Sequence, residues 1–227
     1  MQGVVFVLFV IIVVAVVIFG AYRAAQRRKE LMLWARSKGL SYTHARDHSM
    51  DRRFPHFNCL KQGTNRYAYS VMEGDWSGRP IIAFDYHYET RSSNSKGRSQ
   101  THHHHFSAVI VRSNHLLKPL FIRPERFFDK ITEFFGLDDI DFESAEFSRK
   151  FFVKAKDKRW AYDVIHARTM EFLLDSPQFT IQFDPVHAIA NRSSKFKTSD
   201  FEAAANVVHG ILDRFPDYLV KQLKEQR

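Results

Sequence analysis

Residues 3–22 (GVVFVLFVIIVVAVVIFGAY) carry no charge, and fifteen of the twenty are Val, Ile, Leu or Phe. As a helix rising about 1.5 Å per residue the run spans roughly 30 Å, the hydrocarbon thickness of a bilayer. At about −0.3 to −0.6 kcal/mol for each of those residues, insertion is favoured by at most roughly −4 to −9 kcal/mol. The run predicts a transmembrane anchor at 1–22. The competing reading is a cleaved signal peptide, which needs a basic start, an apolar core of about 7–15 residues and a small-x-small site. Here only Met1 and Gln2 precede a longer run, and Phe19-Gly20-Ala21-Tyr22 is a poor site.

Positive charge follows at once. Arg23, Arg27, Arg28, Lys29, Arg36 and Lys38 stand against one acid, Glu30, and no Lys or Arg precedes the span. Basic flanks stay on the cytoplasmic side, so the N-terminus is expected outside and residues 23–227 in the cytoplasm. A single cysteine, Cys59, suits a reducing compartment. His56 lies near it, but no nucleophile signature surrounds the pair, and a buried thiol is the expected role. The formal charge of +9 fits anionic lipid head groups or nucleic acid. Neither an RNP-type aromatic motif nor a basic recognition helix is present, which argues against nucleic acid. The partners expected are the lipid bilayer, its anionic head groups at the basic cluster (Arg23, Arg27, Arg28, Lys29), and an unidentified protein.

Beyond the anchor the pattern reads as α+β. A basic juxtamembrane helix is expected over 23–40, stopped at Gly39, followed by a soluble domain over 41–227. Residues 41–45 suggest a short strand, and 47–60 an irregular helical stretch broken at Pro55. Strands are expected at 66–72, 80–90, 101–112 and 119–122, with a glycine-bounded turn at 74–78 and a polar loop at 91–100. Apolar residues at Phe127, Phe128, Ile131, Phe134 and Phe135 predict a helix near 125–135. Residues 150–155 read as a strand, and Asp157 as the cap of one helix over 158–174. Two paired strands follow at 178–183 and 186–191. Ser199 with Glu202 reads as a capping box opening a last helix with Phe201, Ala204, Val208, Ile211, Leu212 and Phe215 on one stripe. The order helix, glycine, strand, Asp-led helix, strand, strand occurs twice, suggesting related halves over 41–122 and 123–215.

The strongest chemical candidate is the segment around His102-His103-His104-His105. Side chains alternate along a strand, so Ile82, Phe84, Tyr86 and Tyr88 share one face while Asp85, His87 and Glu89 share the other. With Phe106, Ala108 and Ile110 turned inward, His103 and His105 fall on the face of His87. Antiparallel pairing would bring His87, His103 and His105 near Asp85 and Glu89. That donor set suits Zn²⁺ or another divalent first-row metal. The competing reading is a solvated, partly protonated strand face. His102 and His104 fall beside Tyr86 and Tyr88 as edge packing. A carboxylate run, Asp138, Asp139, Asp141 and Glu143, lacks the EF-hand glycine and reads as a solvated face. His166 and His209 are expected at the surface or half-buried rather than as ligands.

No Walker loop, G-x-G-x-x-G, G-x-S-x-G, H-E-x-x-H or C-x-x-C occurs in the chain. This argues for a non-enzymatic interaction or scaffolding module without cofactor, with a metal-binding enzyme or sensor as the alternative. The phrases RFPHF (53–57), MEGDWSGRPIIAFDYHYET (72–90), PLFIRPERFFDKI (119–131) and SAEFSRKFFV (144–153) resemble an uncharacterised family of bacterial single-span membrane proteins. The resemblance spans most of 40–215. It implies a membrane-tethered domain in a bacterium and assigns no catalytic residues.

Overall fold

The computed structural model of the 227-residue chain describes residues 2–93, 99–125 and 137–225. Its first element, α1, runs unbroken from Gln2 to Ser37, about 54 Å at 1.5 Å per residue. Val5 to Phe19 present their side chains to the outside, and this helix is long and apolar enough to cross a membrane. Past Tyr22 the same helix becomes a docking element. Leu31 and Ala35 are buried, and Trp34 sits against Trp76 and Phe201 with ring centroids 6.0 and 5.9 Å away. Gly39, at φ +72°, ends the helix, and the Leu40 N–H returns to the Ala35 carbonyl at 2.8 Å.

The chain then lays down β1 (Ser41–Thr43), α2 (Met50–Arg53), a 3-10 turn at Asn58–Leu60, β2 (Thr64–Trp76), β3 (Arg79–Ser93) and β4 (Ser99–Arg112). After these come β5 (Leu120–Pro124), β6 (Asp138–Asp139), α3 (Ala145–Lys150), β7 (Phe151–Ala155), α4 (Lys158–Val164) and α5 (Ala167–Asp175). The chain finishes with β8 (Thr180–Phe183), β9 (His187–Arg192), α6 (Thr198–Leu212) and α7 (Asp217–Glu225). Among the described residues the strands form one antiparallel sheet of nine, ordered β1-β2-β3-β4-β9-β8-β5-β7-β6. The α+β architecture with a leading apolar helix follows the sequence pattern. Strands from 41–112 fill one side and those from 120–192 the other, joined where β4 pairs with β9.

Both faces of the sheet centre are covered. Ile81, Ala83, Val109 and Val111 share a core with Leu31 and Ala35 of α1 and with Phe201, Ala204, Val208 and Ile211 of α6. The opposite face, Phe84, Tyr86, Phe106, Ala108 and Ile110, packs on Met50, Phe54, Phe57 and Leu60. The β2–β3 connection is tighter than the expected 74–78 turn. It uses only Ser77 (φ +52°) and Gly78 (φ +82°), the paired positive φ of a type I′ hairpin, which matches strand twist.

Four local expectations are revised. β3 and β4 extend to Ser93 and from Ser99, so both ends of the 91–100 segment are strand; residues 94–98 lie outside the described residues. Arg123 and Pro124 close β5, and the remainder of the helix expected near 125–135 falls in 126–136, also outside them. The helix expected over 158–174 is two. Asp157 does cap α4 through the Trp160 N–H at 3.1 Å, but the chain breaks at Ile165 and restarts at His166. There the His166 ring donates to the Arg214 carbonyl at 2.8 Å, and the His166 carbonyl accepts the Thr169 N–H that opens α5. At α6 the cap is Asp200, whose carboxylate accepts the Lys197 N–H at 2.9 Å. Ser199 lies inside the first turn, and Glu202 instead meets Lys38, just past the end of α1, at 3.0 Å.

The junction between α1 and the sheet is charged. Arg27 Nη2 donates to both carboxylate oxygens of Asp85 at 2.8 and 2.9 Å, and its Nη1 donates to the Phe196 carbonyl at 2.7 Å. Asp85 is 1% exposed and also accepts the Ser107 hydroxyl, whose oxygen receives the Phe196 N–H at 2.9 Å. Removing one partner of a buried pair strands the other charge, at a cost of about 3 kcal/mol. Arg27→Ala should therefore lower the urea midpoint of the full chain in detergent, followed by tryptophan fluorescence. Adding Asp85→Asn to that variant should restore part of the loss. An unchanged midpoint in Arg27→Ala would show that the pair does not hold α1.

Candidate functional site

Register sets the four histidines of β4 opposite the outer half of β3: His87 pairs with His105, Tyr88 with His104, Glu89 with His103 and Thr90 with His102. Strand alternation puts His87, Glu89, His103 and His105 on the α1 side of the sheet. Three of the five expected ligands converge. His87 Nε2 lies 3.2 Å from His103 Nδ1, which lies 3.4 Å from Glu89 Oε1, and the three ligand atoms fall within 4.8 Å of one another. A tetrahedral centre with donors about 2.0–2.1 Å away has edges of about 3.3 Å. The spacing is therefore that of a coordination edge as well as of a hydrogen bond.

Asn65 organises this trio from β2. Its carbonyl lies 3.1 Å from His87 Nδ1, and its amide donates to Glu89 Oε1 at 2.6 Å. Holding Nδ1–H on a carbonyl leaves the Nε2 lone pair of His87 aimed at His103 and Glu89, the usual outer support of a metal-ligating histidine. Asn65 reaches both groups because its backbone is left-handed (φ +48°) at an irregularity in the β2–β3 register. His87 is buried and stacks on Tyr67 at 4.5 Å, whereas His103 is 60% exposed. The sequence contains no local signal for Asn65, since only the strand register brings it to Glu89.

The other two expected ligands do different work. Asp85 is committed to Arg27 and Ser107 in the ion pair above. His105 turns to Tyr69, with Nδ1 3.1 Å from the hydroxyl. Desolvation, then the charge of Lys195 and the neighbouring histidines, hold His105 down at about 4, so its ring is neutral and the hydroxyl can donate to it. Burial, and next the Asp85 carboxylate, push the Tyr69 hydroxyl up. His104 stacks on Tyr88 at 4.6 Å, and His102 meets the Ser92 hydroxyl at 2.9 Å.

Beside the trio a cavity of about 480 Å³ opens between α1 and the sheet. Arg27 and Arg28 of α1, Arg46, Tyr67 and Tyr69 of the facing chain, and Lys195 from the β9–α6 connection surround it. Arg46 lies over the Tyr67 ring at 4.6 Å and Lys195 over the Tyr69 ring at 5.3 Å. A second register shift in β2, with Ser70 at φ +50°, turns the Ser70 hydroxyl toward His44 at 3.3 Å. Burial, then Arg28, lowers the pKa of His44. Of the basic cluster after the span, Arg27 is thus built into the domain and Arg28 faces this cavity.

Elsewhere the candidates are structural. Asp138, Asp139 and Asp141 are exposed around the buried Ile140, and Asp139 pairs with Lys154 at 3.1 Å. His209 is buried rather than half-buried or at the surface, its Nδ1 accepting from Arg79 at 3.0 Å, and burial followed by Arg79 lowers its pKa. Burial pushes the Cys59 thiol up to about 12, leaving no thiolate at neutral pH.

No protein-family model matches the chain, and no curated protein matches it. Among solved structures, the fold is similar to the crystal structure of the mycobacterial trehalose monomycolate transport factor A. The two superpose with a TM-score of 0.63 over 82% of this chain and 92% of that one, at 12% sequence identity. At that identity the likeness is one of fold.

Proposed function

We propose that the protein is a membrane-anchored, cytoplasm-facing domain with a non-enzymatic role, an interaction or scaffolding module seated at the bilayer surface. The observation that carries this reading is α1. Its apolar half is bare, its basic half is locked to the sheet by Arg27–Asp85, Leu31 and Ala35, and no linker separates the two. Anchor and domain therefore move as one body, which suits a surface presented at a fixed height. Likeness to a factor named for trehalose monomycolate transport is in keeping with such a role. In cells, a C-terminal fluorescent fusion of the full chain should glow and an alkaline phosphatase fusion should be inactive. Active phosphatase with a dark fluorescent fusion would reverse the orientation. Purification from native membranes should carry along a stable protein partner; its absence would count against a scaffolding role.

A second reading rests on the His87–Glu89–His103 geometry and its support by Asn65: a divalent metal site of the zinc type. A real site stabilises by mass action, about 2.7 kcal/mol at a hundredfold excess over Kd. For a chain of this size that is a rise of roughly 5–10 °C in melting temperature. Untagged full-length protein should show such a rise on adding Zn²⁺, and His103→Ala or Glu89→Gln should remove it. Identical melting with and without Zn²⁺ would retire the metal reading.

A further inference from the structure

We infer that the cavity between α1 and the sheet holds the anionic head group of a membrane phospholipid whose acyl chains remain in the bilayer beside α1. The inference rests on α1 being a membrane anchor, and it assigns a ligand to the face that the anchor presents.

Charge makes the first argument. Asp85 is the cavity's carboxylate, and Arg27 with Ser107 already consumes it. Arg28, Arg46 and Lys195 remain, and among the described residues none has a carboxylate within ion-pair distance. Several cations elsewhere on the domain are matched: Arg66 with Asp51, Arg79 with Asp213, Lys118 with Asp157 and Arg192 with Asp200. Others, such as Lys221 and Lys224 on α7, stand singly on open surface. What distinguishes Arg28, Arg46 and Lys195 is that three cations without an ion-pair partner converge on one concavity. Ring faces of Tyr67 and Tyr69 carry Arg46 and Lys195, which fixes both cations while leaving their N–H groups unspent. A phosphate oxygen is the acceptor that such a set of donors recognises.

Position makes the second. Arg28 lies six residues beyond Tyr22, about 9 Å along the helix axis. Ala24, also in the cavity lining, lies two residues beyond Tyr22, about 3 Å along the axis. The polar layer on each side of the hydrocarbon core is about 5–8 Å deep, so the end of the cavity nearer the bilayer overlaps the height of the lipid phosphates. Its volume of about 480 Å³ lies within the range of about 300–1,000 Å³ for small-ligand sites. A path to the bilayer exists as well. A groove of about 820 Å³ runs along Phe19, Tyr22 and Arg23 and shares Ala24, Arg27 and Lys195 with the cavity. Phe19 belongs to the apolar span, so a lipid with its phosphate among the cations can leave its chains against Phe19. A free phosphate would satisfy the same cations and make no use of this groove.

The experiment uses the full chain in nanodiscs of phosphatidylcholine with a minority of phosphatidylglycerol, the retained lipids being read by native mass spectrometry. Wild-type protein should keep phosphatidylglycerol well above its bulk proportion. Arg28→Gln/Arg46→Gln/Lys195→Gln should lower that retention about fivefold or more, while Lys221→Gln/Lys224→Gln on α7 should leave it unchanged. Arg28→Gln alone, at an exposed position, should lower it partway and guards against loss of folding in the triple variant. Unchanged retention in a triple variant with the wild-type melting temperature would overturn the assignment. So would displacement of the lipid by soluble glycerol phosphate at matched concentration, which would mark a free-anion site. Protein that enters nanodiscs but shows no lipid preference refutes the head-group site and spares the anchor. Protein that fails to enter them refutes the anchor itself.

Discussion

Asp85 carries a charge into the middle of a sheet, where desolvation costs several kcal/mol unless the carboxylate is fully matched. Arg27 supplies that match with two hydrogen bonds to the carboxylate and a third to the Phe196 carbonyl, while Ser107 ties the carboxylate to the β9–α6 connection. The consequences run along α1. Arg27, Leu31 and Ala35 follow one another at four-residue spacing and form one stripe of the helix. Once Arg27 is pinned, the rotation of the helix is set, Leu31 and Ala35 enter the core, and Trp34 reaches Trp76 and Phe201. Ala24, about one turn before the pinned arginine, and Arg28, the residue after it, line the same cavity as Tyr67 and Tyr69. The basic cavity is thus a by-product of how α1 is locked to the sheet.

Beside that lock, β2 departs twice from regular pairing. The shift around Asn65 gives the strand a residue that can serve both His87 and Glu89, and the shift around Ser70 sends a hydroxyl into the cavity. Extra residues in a strand re-aim side chains without breaking the sheet, and they gather next to sites. Both shifts occur on the strand that separates the histidine trio from β1. Two polar features, one rich in imidazole and carboxylate and the other in cations, therefore share a single wall made by Tyr67, Tyr69 and His105.

Strand alternation made much of this legible from residues alone. Placing Ile82, Phe84, Tyr86 and Tyr88 on one face and His87, Glu89, His103 and His105 on the other follows from a period of two, and the strand pairing has that arrangement. The stripe Phe201, Ala204, Val208, Ile211 and Leu212 of α6 follows likewise from a period of 3.6 and is buried throughout, while Phe215, expected on the same helix, lies just past its end and is buried as well. Local chemistry misled where two local options compete. Ser199 and Glu202 have the spacing of a capping box, yet Asp200 caps the helix because Glu202 is drawn to Lys38. One apolar rhythm over 158–174 conceals a break, because His166 is held by a carbonyl forty-eight residues away.

What the sequence determined by itself is whatever depends on near neighbours: an apolar helix of membrane length, a basic segment after it, alternating strands and the faces on which the histidines fall. Only the tertiary structure decided which of those residues become partners. Asp85 reads locally as a member of the histidine set, and Arg27 reads as one of four equivalent positive charges. They meet across fifty-eight residues because the helix must bury its stripe on the sheet and each charge, once desolvated, requires the other. Asn65, Arg46 and Lys195 come to their places for the same reason. Long-range register and the cost of unmatched buried charge select contacts that no local pattern encodes.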